Sequence, residues 1–361
     1  MAAGISGTRN ALPGHVFVVG SSRSGTTMMA RILGNHSAVY TFAHELHFFE
    51  ELCSGAEMGR PLGRGRAVAL AARLLAISRN GYLTHGDPGE FLGEAEAVAA
   101  SAGEATSASG LFASFLSHEA ARNGKSISCD HTPRNGFYLK EILEGLPGAR
   151  VINMVRDPRD VLLSQKRKWR VRFMAKRSEE RKYIPLREVV RSMANYHPAT
   201  MSLLWNSAVR AFDAHAGDGR VMSLRYEDLL SAPEETARRV CAFLGLSYEE
   251  GMLEIPFIGS SSERFEPGVR GINSGRVESW KRGGLNDTEA YICQLINGSL
   301  MKKYGYGAAP LRPNPALLLY YAALFPLKLA AALPLNVGRV RSLGESIGRR
   351  FGFRAGLKGD A

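Results

Sequence analysis

A glycine-bounded loop near the N-terminus carries residues that could bind a phosphate group. The segment from Gly20 to Thr27 reads Gly-Ser-Ser-Arg-Ser-Gly-Thr-Thr, which has the G-x-x-x-x-G-x-[ST] spacing of a P-loop. The backbone N–H groups of such a loop, with the N-terminus of the following helix, attract anions. Thr26 stands where the lysine of a P-loop should be, and the positive side chain is Arg23 instead. The loop therefore favours a phosphate-like group other than a magnesium-bound triphosphate, and the alternative is a simple turn without a ligand.

This loop resembles the 5′-phosphosulfate-binding loop of sulfotransferases that use 3′-phosphoadenosine-5′-phosphosulfate (PAPS). The resemblance implies that five consecutive residues bind the nucleotide: Arg23, Ser24, Gly25, Thr26 and Thr27. It also implies a later arginine and serine, eight residues apart, that hold the 3′-phosphate, and Arg156 and Ser164 have this spacing. The intervening Asp157-Pro158 pair is typical of a helix start. For this segment alone, a capped helix with a surface arginine is the alternative.

A third segment supplies a candidate for the catalytic base. Glu45-Leu-His47-Phe-Phe is similar to the E-V-H-F-F segment of heparan sulfate sulfotransferases. The resemblance implies that Glu45 is the general base and that His47 lies beside the acceptor. Protein-tyrosine sulfotransferases also have a glutamate nearby, but their pattern would align it with His44. The alternative is a surface glutamate that precedes an aromatic core segment.

Further matches to the family have lower specificity. Tyr226, in Leu-Arg-Tyr-Glu-Asp-Leu, is similar to a tyrosine that contacts the nucleotide, and a late basic region similar to the loop that closes over it contains Ser274, Arg276 and Lys281. A packed tyrosine or a solvated basic side chain is an equal alternative at each position. His131 occupies the place where many relatives have a lysine that assists the leaving phosphate. It could take that role as an imidazolium or as a neutral donor.

Short apolar segments at 15–20, 39–42, 126–129, 150–155 and 220–224 alternate with helical patterns. This order predicts an α/β fold, a three-layer sandwich with a mostly parallel central sheet. The resemblance, which covers roughly residues 14–55 and 125–305, implies a P-loop NTPase-like sulfotransferase fold. We assign residues 1–310 to this domain, with 58–124 as a helical insertion of two helices that covers the acceptor side.

The distribution of charge limits the function classes. The chain has a net charge of +12, yet residues 166–182 contribute nine basic and two acidic residues, and residues 336–361 contribute six and two. These two segments hold nearly all of the excess, so we expect two local anion-attracting surfaces and no nucleic-acid partner. The four cysteines lack metal-site spacing, and the N-terminus lacks an apolar leader. Both observations favour a cytoplasmic location.

The tail, residues 311–361, contains a long apolar segment at 316–335 that Pro326, Lys328 and Pro334 interrupt. Its length is that of a membrane-spanning helix. Three interpretations are open: a membrane span, an in-plane membrane contact supported by the basic flank, or a packed pair of C-terminal helices. The second would make the protein peripheral on the inner face of a membrane.

The resemblance implies transfer of a sulfuryl group from PAPS to an acceptor hydroxyl or amine, giving PAP. Glu45 would remove the acceptor proton, and Arg23 with His131 would stabilise the charge that develops. We expect a carbohydrate or glycolipid acceptor and no metal, because the sequence shows no cluster with metal-ligand spacing. The alternatives are a P-loop kinase of a small metabolite and a non-catalytic nucleotide-binding module.

Overall fold

The central feature of the fold is a five-stranded sheet in which all neighbouring strands are parallel. The computed structural model describes residues 12–81, 86–104, 106–175, 186–256, 270–272, 275, 277–337 and 340–351. The strands are β1 (His15–Gly20), β2 (Val39–Thr41), β3 (Ile127–Asp130), β4 (Ala149–Val155) and β5 (Val221–Arg225), in the order β2-β3-β1-β4-β5. β1 is therefore central, and its last residue, Gly20, is in register with Met154 of β4.

Helices connect the strands and cover both faces of the sheet. In the described ranges they are α1 (Thr26–Gly34), α2 (Arg64–Asn80), α3 (Leu92–Ala102), α4 (Ala108–Arg122), α5 (Leu139–Gly145), α6 (Pro158–Ala175), α7 (Leu186–Asn195), α8 (Pro198–Asp213), α9 (Tyr226–Ser231), α10 (Pro233–Leu244), α11 (Asp287–Lys303), α12 (Pro315–Asn336) and α13 (Leu343–Phe351). Parallel neighbours require such crossovers, since a tight hairpin can only join antiparallel strands.

Alternate side chains of β1 enter two separate cores. Phe17 and Val19 belong to a core with α2, α4 and α5, whereas Val16 and Val18 belong to a core with α1 and α10. This alternation follows from the two-residue period of a strand. The result is the predicted three-layer α/β sandwich, and all five predicted strands are confirmed to within two residues at each end.

The insertion at residues 58–124 contains three α-helices, so the prediction of two was wrong. The last of the three, α4, packs against β3 and leads into that strand. Its Ala-, Ser- and Gly-containing sequence gives a weak amphipathic pattern, although Phe112 and Phe115 are completely buried. The end of α2 reaches the predicted acceptor side, where Gly81 lies against the His44 ring.

The apolar segment of the tail forms the single helix α12, which is held against the domain on one side. Nε2 of His197 donates to the Tyr321 carbonyl (3.0 Å), and its ring packs against Phe325. Asn336 donates to Asn195 at 2.9 Å. The tail thus contains two helices, α12 and α13, and α12 contacts the domain without burying any of its residues.

Three basic residues of the tail form ion pairs with acidic residues of the domain, whereas the tail was predicted to form an anion-attracting surface. Arg341 pairs with Glu57 at 2.6 Å, Arg349 with Glu141, and Arg350 with the buried Glu50. These three arginines attach α13 and its approach to the domain. Their partners lie 200 to 300 residues away in the chain, so the tail in isolation shows only its excess of positive charge.

Candidate active site

The glycine-bounded loop lies at the carboxyl end of the central strand, between β1 and α1. In open parallel sheets this edge is where ligands bind. Gly20 has a φ of 146°, and a Cβ there would lie 2.3 Å from the Met154 carbonyl oxygen of the adjacent strand. Only glycine can take this position without moving β4. The loop therefore turns directly over the sheet and presents the amides of the α1 N-terminus.

The second glycine of the loop brings a distant tyrosine to the site. Gly25 has a φ of 94°, and a Cβ there would lie 2.4 Å from the Tyr226 ring. Tyr226 is the first residue after β5, so the predicted nucleotide-contacting tyrosine does reach the loop. The Arg156 guanidinium lies over the same ring, 4.5 Å from its centre. The ends of β1, β4 and β5 thus meet here.

Hydrogen bonds join the two predicted nucleotide motifs. Nε of Arg23 donates to the Ser164 hydroxyl at 2.9 Å, and Nη1 of Arg156 donates to the Arg23 carbonyl at 3.2 Å. Ser24 is completely buried, and its hydroxyl has no hydrogen-bond partner among the described residues. The guanidinium groups of Arg23 and Arg156 and the hydroxyl of Ser24 lie beside the backbone amides of the loop. Together they are the donors that a phosphate or sulfate group requires. This part of the site fits PAPS.

The protein holds Arg156 from its other side as well. The indole N–H of Trp205 donates to the Arg156 carbonyl at 3.0 Å, and Asp160 lies 3.7 Å from the guanidinium. Burial raises the pKa of Asp160 to about 6, although the charge of Arg156 acts in the opposite direction. A buried carboxylate with a raised pKa neutralises Arg156 incompletely near pH 6. The guanidinium therefore keeps positive charge for a bound anion.

Glu45 and His47 form a pair at the end of β2. Nε2 of His47 lies 3.0 Å from a Glu45 carboxylate oxygen, and 39% of the Glu45 side chain is exposed. Desolvation of the carboxylate by the surrounding protein would raise the pKa of Glu45. The hydrogen bond with His47 and nearby positive charge outweigh this effect and hold the pKa at about 2. Glu45 is consequently a carboxylate at neutral pH. The following Phe48 and Phe49 are buried and pack against Phe112, which anchors the pair.

A threonine that sequence reasoning did not select holds this segment in place. The Thr132 hydroxyl accepts from the amides of Leu46 (2.9 Å) and His47 (3.4 Å), and donates to Asp130 at 2.7 Å. Asp130, at the end of β3, also accepts from Asn135 at 2.8 Å. The hydrogen bonds from Asp130 through Thr132 thus fix the backbone between Glu45 and His47. Its only signal in the sequence was the position of Thr132 beside His131.

His131, between Asp130 and Thr132 in the sequence, is also buried. Its Nδ1 has no hydrogen-bond partner among the described residues, and burial lowers its pKa even though Asp130 and Glu45 act in the opposite direction. Of the two states considered for a role in leaving-group departure, these surroundings favour the neutral donor.

The structure gives less direct support for the basic region that contains Ser274, Arg276 and Lys281. Lys281 is exposed and pairs with Glu278, while the neighbouring Trp280 is buried and donates its amide to Asp160 at 2.8 Å. Its neighbour Trp280 thus connects this segment, through Asp160, with Arg156. Ser274 and Arg276 lie outside the described residues.

Within the described part of the chain, two clusters with metal-ligand spacing form in three dimensions, which the linear sequence did not show. They comprise His47, Glu50 and Glu51, and Glu94, His118 and Glu119. Arginines bind their carboxylates: Arg134 and Arg350 pair with Glu50, and Arg79 pairs with Glu94 and Glu119. The positive charge that a cation would supply comes from guanidinium groups in both clusters.

Comparisons with known proteins agree with this geometry. A family model described as "Sulfotransferase family" matches residues 13–250. Over 306 residues, the chain is 26% identical to nodulation protein NoeE of Sinorhizobium fredii, covering 82% of this chain and 66% of that protein. It is 28% identical over 287 residues to an uncharacterized protein of Aquifex aeolicus, covering 78% of this chain and 31% of that one. The chain thus spans less than two thirds of the length of these relatives.

Among solved structures, the fold is similar to the sulfotransferase domain of the olefin synthase from Synechococcus PCC 7002. The TM-score is 0.50 at 19% identity, and the alignment covers 82% of this chain and 97% of that domain. The family match spans well over half of the chain and includes the loop, Glu45, Arg156, Ser164 and Tyr226. The chain belongs to the sulfotransferase family.

Proposed function

We propose that the protein transfers a sulfuryl group from PAPS to a hydroxyl or amine of a carbohydrate or glycolipid. The observation that carries this proposal is the convergence of Arg23, Arg156, Ser164 and Tyr226 on a loop without the P-loop lysine. PAPS supplies the activated sulfuryl group when bound. Arg23, Ser24 and the amides of residues 25–27 suit its phosphosulfate, and Arg156 with Ser164 suits its 3′-phosphate.

The acceptor side is formed by Glu45 and the groups that position it. As a carboxylate with a partly exposed side chain, Glu45 can take the proton of an acceptor hydroxyl. His47 orients the Glu45 carboxylate, and Thr132 fixes the backbone between them. Arg23 and the loop amides stabilise negative charge on the transferred group, and neutral His131 can donate a hydrogen bond nearby.

The surroundings of Asp130 argue against the alternative of a metabolite kinase. A kinase of this fold needs the loop lysine and an acidic residue for magnesium. Asp130 is at the end of the strand next to β1, where such an acid would stand, but its oxygens accept from Thr132 and Asn135. Burial raises its pKa. Asp130 serves the acceptor segment instead.

Sulfur-labelled PAPS tests the proposed reaction. The protein is incubated with labelled PAPS and with separated glycan, lipid and protein fractions of cells, and we expect label in the glycan or lipid fraction. The Glu45→Gln variant is the control for non-enzymatic labelling. Phosphate transfer from ATP without transfer from PAPS would identify a kinase, and PAP binding without any transfer would identify a binding module.

Gly25→Ala is expected to abolish PAP binding. The new Cβ would lie 2.4 Å from the Tyr226 ring, and the φ of 94° is unfavourable for alanine. Gly65→Ala is the matched control, because a Cβ at this α2 position has nothing within 4 Å. Calorimetric titration with PAP measures both variants. PAP binding of normal affinity by Gly25→Ala would contradict the placement of the nucleotide on this loop.

A further inference from the structure

Helix α12 has the length and composition of a bilayer-crossing helix, yet it lies along the surface of the domain. It is 22 residues long, and none of these residues, all of which the structure describes, is buried. It lies outside residues 13–250, the part that matches the family. The function of the family alone therefore gives no reason for this exposed apolar helix.

Polar contacts hold α12 against α7 and disfavour a transmembrane position. Lys328 donates to the Met193 carbonyl at 3.1 Å, and Arg191 donates to Asn336 at 3.1 Å. Both partners on the domain side belong to α7. Insertion of α12 across a bilayer would break these bonds, whereas an in-plane position preserves them.

The outer surfaces of α7 and α12 form an apolar surface, which we call the α7–α12 face. Leu319 is 73% exposed and Leu327 is 67% exposed on α12. On α7, which packs along α12, exposed apolar side chains are Leu186, Val190 and Met193. Large apolar side chains clustered on two adjacent helices mark an interaction surface.

The basic sequence that precedes α7 favours an anionic bilayer as the partner of this face. Leu186, the first residue of α7, follows within four residues of the basic segment 166–182, which has nine basic and two acidic residues. An apolar helical surface with adjacent lysines and arginines is the pattern of proteins that lie on anionic membranes. A second copy of this chain would also carry a net charge of +12, and repulsion between like charges opposes that pairing.

The inner side of α12 lines a cavity that extends to the nucleotide loop. The cavity has a volume of about 270 Å³, and its lining includes the loop residues Gly20, Ser21 and Ser22. It is also lined by Ala332 and Leu333 of α12, and by Met201, Leu204 and Ile347. Arg134, which also lines it, contributes to the low pKa of Glu45, so the cavity lies near the proposed base.

We infer that the acceptor is a lipid-linked hydroxyl compound, which reaches the loop from a bilayer bound to the α7–α12 face. The cavity is slightly smaller than the roughly 300–1,000 Å³ of sites that enclose a drug-sized ligand. It can therefore hold the part of the acceptor near the reacting hydroxyl, while the remaining apolar chain stays with the membrane. This inference rests on the proposed function and deepens it by naming the acceptor class.

Vesicle flotation tests the α7–α12 face without any catalysis. The full chain is mixed with vesicles of phosphatidylcholine alone or with 30% phosphatidylglycerol, and we expect it to float with the anionic vesicles and to dissociate in high salt. The double variant Leu319→Glu, Leu327→Glu should remain unbound. Leu295→Glu is the matched control, since Leu295 is 71% exposed on α11. Point substitutions are preferable to deletion of the tail, because Arg341, Arg349 and Arg350 bind the domain.

Substitutions in the cavity test the acceptor class. Ala332→Trp should fill the part of the cavity that α12 lines and reduce labelling of the lipid fraction at least tenfold, with unchanged PAP affinity. Ala331→Trp, on the adjacent exposed position of the same helix, should retain labelling.

The outcomes separate this inference from the proposed function. Label in water-soluble glycans together with no flotation would overturn the lipid-linked acceptor and leave the sulfotransferase intact. Equal flotation of wild type and the double variant, or a dimer that the double variant converts to a monomer, would also overturn the role of this face. Normal flotation and PAP binding with no label in any fraction would instead overturn the proposed reaction.

Discussion

Glu45→Gln is expected to lower kcat by about 10²- to 10⁴-fold, the usual contribution of a positioned general base. A hydroxyl acceptor keeps its proton at neutral pH, so the proton must leave as the new S–O bond forms. Glutamine preserves the size of the side chain and its contact with His47 but cannot take this proton. PAP affinity should change little, because Glu45 lies on the acceptor side. Steady-state turnover of labelled PAPS and calorimetric titration with PAP measure the two quantities.

The pH dependence of kcat/KM provides a second measurement on the same residue. The pKa of Glu45 is held at about 2, below its ordinary value, so the base form is lost only as the pH falls toward 2. Ionisation of Glu45 should therefore cause no decrease in kcat/KM between pH 7 and pH 5. In His47→Ala, which removes the principal hydrogen bond, the pKa of Glu45 should rise and an acidic limb should move toward this range.

Two further substitutions test the alignment of the acceptor segment. His44→Ala should have little effect, because the His44 ring lies against Gly81 at the end of α2. His47→Ala should lower kcat less than Glu45→Gln does. Near-normal turnover of Glu45→Gln with loss of activity in a histidine variant would show that our register is wrong. Normal turnover of all three variants would place the base elsewhere in the chain.

The sequence revealed those parts of the site that lie in short continuous motifs. Each strand of the sheet is a compact apolar segment, and the loop, Glu45 with His47, and Arg156 with Ser164 are each contained within nine residues. Parallel strand order brings the ends of such segments together, so their convergence at one edge followed from the α/β class.

Contacts between segments that are far apart in the chain could not be predicted from the sequence. Thr132 binds the backbone of Leu46 from 86 residues away, and its position beside His131 does not reveal this contact. Glu50 lies 300 residues from Arg350. Because charge patterns in sequence do not name their partners, the tail arginines were interpreted as an exposed basic surface although three of them bind carboxylates.

Arg156→Ala is expected to weaken PAP far more than it weakens ADP, which lacks the 3′-phosphate. A charge-assisted hydrogen bond contributes about 1.5–3 kcal/mol, so the dissociation constant of PAP should rise roughly 10- to 150-fold. At 100 times the wild-type dissociation constant, PAP stabilises the wild type by about 2.7 kcal/mol. A 100-fold weaker variant would gain only about 0.4 kcal/mol at the same concentration.

These free energies correspond to distinct shifts in melting temperature. For a chain of 361 residues, 1 kcal/mol corresponds to roughly 1.3 °C, so PAP should raise the Tm of the wild type by about 3.5 °C and that of the variant by about 0.5 °C, both without magnesium. Retained ADP binding shows that the loop is still folded, which matters because Arg156 also bonds to the Arg23 carbonyl and covers the Tyr226 ring. Ser164→Ala should reduce PAP binding in the same selective way but by less, since it removes a neutral donor. Equal stabilisation of the wild type by PAP and ADP would refute the assignment of Arg156 and Ser164 to the 3′-phosphate.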